Sequence, residues 1–441
     1  MKMLRYLPRF AEADRRLITL AEHETWPRER IDTYQLDSIN TLWKHAIQSV
    51  PYYMAIHSEQ NLPMRFDCLA EFHDSVPLLS KQTVREHPEL FLSRVKTRGF
   101  WCGTGGSTGA PMKVYWECKA HLEMLRTKYR AFQMWGIDYL DRIAFLWGHS
   151  TYFQAGLKGH IARLRQPAED YARSRLRLSA YQVGAEQLTK YLRQLQRFRP
   201  VALYGYPTAI RLLAEQARRE SCKLDSLRHV VVTGEPIDDA TMDTIKDALD
   251  ANVVIEYGSV DCGHMAHQWP DGTLRVREDV VHLETFTQEQ TGNAIVVTPL
   301  HNLAFPLLRY DLSDLTSHPV QMPERGFSIL QDVTGRMNDF LMLKDGGVAH
   351  SARLDAFFKY QCKGIRRFHV HQHRAGNVEV FVELNQPDAN MPQYIEEQLR
   401  QIVGYHVSAQ VVEEIELSKA GKHRLLISDM ASRLLPPASS Q

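Results

Sequence analysis

Val201-Ala202-Leu203-Tyr204-Gly205-Tyr206-Pro207, His229-Val230-Val231-Val232-Thr233-Gly234-Glu235-Pro236 and Val253-Val254-Ile255-Glu256-Tyr257-Gly258-Ser259-Val260-Asp261 share one pattern. Each is a short apolar run that ends in a polar, glycine-bearing turn. The runs are too short for helices and rich in β-branched residues, as expected of strands buried on both faces. Helical patterns from about Pro207 to Glu220, and another through Lys246, separate them. Strands that alternate with helices imply a largely parallel sheet covered on both faces.

Outward from this centre, Arg142 to Trp147 reads as a further buried strand, with helices over Ala120 to Trp135 and Glu186 to Arg197. Phe100-Trp101-Cys102 and Lys113-Val114-Tyr115-Trp116 read as strands on either side of a glycine-rich loop. The first ninety or so residues are mostly helical. Pro51 ends one helix by its missing donor, and Ser80 is a candidate N-cap for another. Downstream, about Thr273 to Leu330 is rich in strands and turns, with Ala294 to Thr298 the clearest strand. Beyond Gly335, Phe368 to His371 and Val378 to Leu384 look paired around the turn Arg374-Ala375-Gly376-Asn377, and a helix from Pro392 to Val403 follows.

The expected fold is therefore α/β: a large N-terminal domain with parallel sheets, and a small α+β C-terminal domain hinged near Asn338 and Asp339. The expected boundaries are 1–337, 338–435 and a disordered tail at 436–441. No internal repeat is evident. The formal net charge of the 441 residues is +1, so bulk electrostatics point to neither a nucleic-acid nor a membrane partner. No run of eighteen apolar residues occurs, and Pro8, Arg15 and Arg16 interrupt the N-terminus too early for a secretion signal. The six cysteines are scattered without a CxxC pair, which suggests reduced thiols in a cytoplasmic protein.

Chemistry concentrates in four places. Thr104-Gly105-Gly106-Ser107-Thr108-Gly109 offers close-set backbone N–H donors and hydroxyls, as a phosphate cradle needs; a flexible surface turn would look the same. Ala110-Pro111 follows it, so it is not the helix-opening phosphate loop. The three turns after the central strands lie where open parallel sheets bind ligands, and together would build one nucleotide pocket. There Tyr257 offers a ring face for a purine and Asp261 an oxygen for Mg²⁺. Leu308-Arg309-Tyr310-Asp311-Leu312-Ser313-Asp314 carries carboxylates suited to ribose hydroxyls, or a structural Arg–Asp pair.

In this order and spacing the segments resemble the adenylate-forming superfamily of acyl-CoA synthetases and adenylation domains, and within it the phenylacetate–CoA ligase-like family. The resemblance runs from Ser49-Val50-Pro51-Tyr52-Tyr53 and Leu78-Leu79-Ser80-Lys81 to near the C-terminus. It implies ATP-dependent activation of a carboxylic acid as acyl-AMP with pyrophosphate release. Transfer to a thiol such as CoA would follow, or to an amine, alcohol or carrier protein. A degenerate relative that binds nucleotide without turnover is the remaining alternative.

The resemblance assigns Thr104 to Gly109 to the β- and γ-phosphates and Gly234, Glu235 and Pro236 to the adenine. Tyr257, with Gly258 and Ser259 beside it, would stack on the adenine, and Asp261 would hold Mg²⁺. Asp314 would bind the ribose, Arg336 the ribose or phosphates, and Lys422 would be the catalytic lysine of the mobile C-terminal domain.

Val260 and Asp261 depart from the family's usual Thr or Ser before Glu, and a proline is missing upstream of Gly421-Lys422. Trp147, Tyr152, Phe153, Tyr204, Tyr206 and Gly258 are candidate walls of an acid pocket that would suit an aryl or arylacetic acid; buried aromatics are also ordinary core. Cys262, His264, His267 and His282 include zinc-ligand types, but Trp269 stands where relatives often carry a cysteine, so ordinary histidines are the favoured reading. The alternating Arg173, Arg175 and Arg177 read as a solvated face, with a grip on an anionic pantetheine or carrier as the alternative. Neither the acid, the acceptor nor the oligomeric state follows from the sequence, which leaves a homodimer open.

Overall fold

A computed structural model describes residues 8–103, 112–147, 170, 174–180, 185–288, 292–336, 340–344, 348–350, 354, 357–358, 362, 364–415 and 425–430. Helices Pro8–His23, Arg28–Ser49, Pro51–Gln60, Leu69–Ser75 and Lys81–Glu86 open the chain. Pro51 both closes one helix and starts the next: it is the first residue of Pro51–Gln60, where a missing N–H costs nothing. Ser80 caps Lys81–Glu86 by accepting from the Thr83 N–H at 3.1 Å.

Strands β1 (Gly99–Gly103) and β2 (Lys113–Glu117) pair antiparallel, with Gly103 opposite Lys113. The helix Cys118–Met134 follows. Then come β3 (Ile143–Trp147), β4 (Arg175–Ser179), β5 (Ala202–Gly205), β6 (His229–Thr233), β7 (Asn252–Ser259), β8 (Gly263–Gln268) and β9 (Leu274–Val276). These seven form one sheet in the order β4-β3-β5-β6-β7-β8-β9. The first five run parallel; β8 and β9 are antiparallel additions. Helices Ala185–Phe198, Pro207–Arg219 and Asp239–Leu249 pack on one face through Leu192, Ile210, Leu213, Val230 and Ile245. On the other face, Phe132 packs with Ile143, Ala202, Val231 and Val254. Double coverage is why these strands are continuous apolar runs.

A second sheet orders β10 (Val281–Gln288), β11 (Gly292–Pro299), β12 (Tyr310–Thr316) and β13 (Gly335–Arg336) side by side, all antiparallel. Its apolar residues Ile295, Val297 and Leu312 share a core with Ile39, Trp43, Tyr53 and Phe72 of the opening helices. Leu79 bridges to Tyr310 in parallel, which sets Lys81 beside the start of β12.

The hairpin of β14 (Phe340–Met342) and β15 (Val348–His350) leads to β16 (Ile365–Gln372), β17 (Val378–Leu384), β18 (Val407–Val411) and β19 (Leu426–Ser428). The last four order as β18-β17-β16-β19, with the helix Met391–Val403 burying Ile395, Leu399 and Val403 in their core. β16 and β17 pair antiparallel around the expected turn.

The reading of a solvated arginine face is overturned. Arg175 and Arg177 lie on the edge strand β4, and both fold back onto the protein. Arg175 donates to the Tyr129 hydroxyl at 2.6 Å and to the Asp141 carbonyl at 3.2 Å, while Arg177 pairs with Asp170 at 3.0 Å. Arg173 lies outside the described residues. No helix among the described residues is long and apolar enough to cross a membrane.

Candidate functional site

The sheet order reverses at β3, which is flanked by β4 on one side and β5 on the other. Such a reversal opens a crevice beyond the carboxyl ends of the strands. Trp147 ends β3, Tyr206 follows β5, and the Gly234 turn follows β6. Gly234 sits at φ 80°, a left-handed conformation that a side chain resists. Its neighbour Glu235 accepts from the Thr208 N–H at 3.2 Å, so the turn leans on the start of helix Pro207–Arg219. At Gly258 a Cβ would come within 2.7 Å of the Gly263 carbonyl, so the tight β7–β8 turn demands glycine.

Two of the nucleotide candidates meet directly. The Tyr257 hydroxyl donates to Asp314 Oδ2 at 2.9 Å, and Asp314 lies opposite Arg336 in the β12–β13 pairing. The Arg336 side chain is outside the described residues. Ser313, just before Asp314, takes φ 59°, and its N–H donates to Asp311 at 2.7 Å.

Asp261 sits at the end of the same turn, which Cys262 N–H to Ser259 Oγ (3.0 Å) and Trp116 Nε1–H to the Val260 carbonyl (3.0 Å) hold in place. The side chain is buried. Its Oδ2 accepts from the Tyr310 hydroxyl at 2.9 Å and faces the Lys81 ammonium at 3.2 Å, while Oδ1 has no protein partner. Burial, and then the Asp261 charge, push the Tyr310 phenol well above its ordinary range. Lys81 closes the Leu78-Leu79-Ser80-Lys81 segment, and the bridge from Leu79 to β12 is what delivers it to Asp261.

Trp147 and Tyr206 stack with ring centres 4.1 Å apart, and Tyr204 lies 5.5 Å from Trp147. Tyr204 donates its hydroxyl to Glu256 Oε1 at 2.6 Å. Glu256 in turn faces the buried Lys128 at 3.3 Å. Burial opposes the Glu256 charge, but Lys128 and His264 outweigh it and hold the carboxyl down to about 2. Burial pulls the Lys128 ammonium below its ordinary value, partly offset by Glu256. Sequence reasoning missed both residues. The available signal was a carboxylate inside the apolar run Val253-Val254-Ile255 to Tyr257.

The four zinc-type residues do not converge. His264 turns to Glu256, with Nδ1 at 3.5 Å, and His267 Nε2 lies 3.2 Å from Met134 Sδ. His282 is in the other sheet, with its Nε2 2.8 Å from His73 and its Nδ1 2.6 Å from Gln35 Oε1. Burial, with His73 and Arg309 adding to it, pushes His282 down to about 3.

The glycine-rich loop from Thr104 to Gly109, Tyr152, Phe153 and Lys422 lie outside the described residues. The pairing of Gly103 with Lys113 shows that the loop joins two antiparallel strands.

No known family profile matches the chain. Protein CapK of Staphylococcus aureus is 24% identical over 385 residues, covering 82% of this chain and 81% of that protein. Among solved structures, 2-hydroxyisobutyryl-CoA ligase in a postadenylation state with 2-HIB-AMP superposes with a TM-score of 0.71 at 18% identity, covering 94% of both chains. The same ligase with 2-HIB-AMP and CoA, in its thioesterification state, gives 0.62 at 19% identity over 94% of this chain and 93% of that one. The chain thus has the fold of the adenylate-forming CoA ligases.

Proposed function

We propose that this chain is an adenylate-forming ligase of the phenylacetate–CoA ligase-like type. It would join a carboxylic acid to AMP from ATP, release pyrophosphate, and pass the acyl group to CoA. The observation that carries this reading is the Tyr257–Asp314 hydrogen bond at the carboxyl edge of β7, in a fold shared with a ligase that holds an acyl-AMP. An aromatic ring whose hydroxyl is tied to a carboxylate presents a flat face for a purine and an acceptor for ribose hydroxyls.

Asp314 binds the ribose in this account, and Arg336, opposite it in the sheet, reaches the phosphates. Gly234, Glu235 and Pro236 line the adenine, with Gly258 and Ser259 closing the turn beneath it. The loop of Thr104, Gly105, Gly106, Ser107, Thr108 and Gly109 covers the outer phosphates from its hairpin. Asp261 Oδ1, a carboxylate oxygen with no protein donor, fits a hard cation such as Mg²⁺, which neutralises phosphate charge when bound. The acid's carboxylate attacks the α-phosphorus and the bond to pyrophosphate breaks. Such a step depends on alignment and charge neutralisation, not on covalent help from the protein. Residues 1–337 would bind ATP and acid. Residues 338–435 would form a mobile domain that brings Lys422 to the developing charge and then makes way for the thiol, with 436–441 a tail.

The test is ATP–pyrophosphate exchange over a panel of carboxylic acids, followed by product analysis with CoA. Exchange with at least one acid and formation of an acyl-CoA are expected. Lys422→Ala should remove exchange and leave ATP binding within about threefold; unchanged exchange would strip Lys422 of its role.

A further inference from the structure

Tyr204, whose ring lies 5.5 Å from Trp147 at the β3/β5 reversal, is tied to a buried charged group on β7. Lys128 projects from the helix Cys118–Met134 onto the Tyr204 ring, 3.7 Å from its centre, with its ammonium 3.3 Å from Glu256 Oε1. Tyr204 donates to that same oxygen. Thr233, the last residue of β6 and the register partner of Glu256, completes the group by bonding Tyr204.

Both protein donors thus converge on one oxygen. Glu256 Oε2 accepts no hydrogen bond, although the side chain is only 6% exposed. His264 Nδ1 faces it at 3.5 Å, a long contact, and His264 Nε2 makes no hydrogen bond. Buried polar groups in native proteins are nearly all satisfied, and those that are not call for an explanation. Glu256 lies level with Thr233 at the end of β6, and Tyr204 links it to Trp147, 5.5 Å from the Tyr204 ring, at the edge where a parallel sheet takes its ligand.

We propose that Glu256, backed by Lys128, Tyr204 and His264, is the specificity determinant of the acid pocket, and that the acid carries a hydrogen-bond donor, a hydroxyl or an amine, away from its carboxylate. This rests on the adenylate-forming reading above. The stacked Trp147 and Tyr206 rings flank the acid's apolar body, and Glu256 Oε2 receives its donor. Lys128 already balances the Glu256 charge, so a neutral hydroxyl matches the site better than a full ammonium.

Matched acids test this in pyrophosphate exchange with the full-length protein: each pair shares a skeleton and differs only in a distal hydroxyl or amine replaced by methyl. A site built around a hydrogen bond rejects an analogue lacking the donor, so kcat/KM should favour the donor-bearing acid by about 10²-fold or more. Glu256→Gln should shrink that ratio at least tenfold. The double variant Lys128→Met with Glu256→Leu leaves no lone buried charge and should favour the methyl acid. The hydroxyl and amine arms, compared with each other, show which donor the site prefers.

Exchange without discrimination between partners, in the wild-type protein alone, overturns this inference and leaves the proposed activity standing. A ratio unchanged in the double variant does the same. Failure of every acid to support exchange overturns both.

Discussion

Two buried charge clusters in the large domain differ in one respect. Around Arg277 the guanidinium and both carboxylates are met, and His23 Nδ1, 3.8 Å from Asp279, is the one cluster atom without a hydrogen bond among the described residues. The guanidinium forks onto Asp279 at 3.1 and 2.6 Å and reaches Glu24 at 2.8 Å, while Arg130 takes the other side of Glu24 at 3.0 and 2.7 Å. Both carboxylates have both oxygens bonded. Around Glu256 two donors crowd onto one oxygen and leave the other only a long contact with His264 at 3.5 Å. The first cluster joins the first helix, through Glu24 just beyond it, to the loop between β9 and β10. The second lies at the strand ends. A closed network fixes structure; an open one at a ligand crevice is a place waiting for a partner.

The largest expected effect comes from breaking the closed cluster. Arg277→Met strands Glu24 and Asp279 as buried charges, and should lower unfolding free energy by about 3–5 kcal/mol in denaturant titration. A loss below about 1 kcal/mol would mean the network is dispensable. Glu256→Gln should cost less, about 1–3 kcal/mol. The isosteric amide keeps an oxygen that can accept from Lys128 and Tyr204, so neither donor loses its partner. An equal loss from the two substitutions would erase the distinction between the clusters.

Acid should strain both clusters together. Glu256 and Asp279 are each held down to about 2, so their charged forms stabilise the fold above the ordinary carboxylate range. That contribution is lost as pH falls from about 4.5 towards 2. His282 acts earlier. Its folded form stays neutral down to about 3, whereas the unfolded chain takes up a proton below about 6.5. Stability should therefore begin to fall below pH 6.5, and a denaturation midpoint that is flat between pH 7.5 and 5 would contradict the burial of this ring. The smallest effect is local. Ser80→Ala removes the cap of the helix that carries Lys81 to Asp261, and should cost about 1 kcal/mol.

The sheet was legible because a strand buried on both faces must be apolar throughout, and Val230-Val231-Val232 and Val253-Val254-Ile255 are. The nucleotide edge was legible for a related reason: its polar turns follow those runs directly. Tyr257 and Asp314, 57 residues apart, were paired only through resemblance, and the structure joins them. The Lys128–Glu256 pair spans 128 residues and belongs to no motif, so only the packing of the helix Cys118–Met134 on β7 reveals it. His282 was grouped with Cys262, His264 and His267 by nearness in the chain, but it belongs to a different sheet and stacks on His73. Arg175 and Arg177 alternate as a solvated face would. The edge position of β4 lets both arginines fold back to Tyr129 and Asp170, which spacing alone does not encode.

The central claim is the activation of an acid at the carboxyl edge of the seven-stranded sheet. Exchange of labelled pyrophosphate into ATP, run with hydroxy and amino acids alongside their methyl counterparts, tests it most directly. The account predicts acid-dependent exchange that Asp314→Ala reduces at least a hundredfold. Acid-independent label incorporation, or none with any acid, would contradict it.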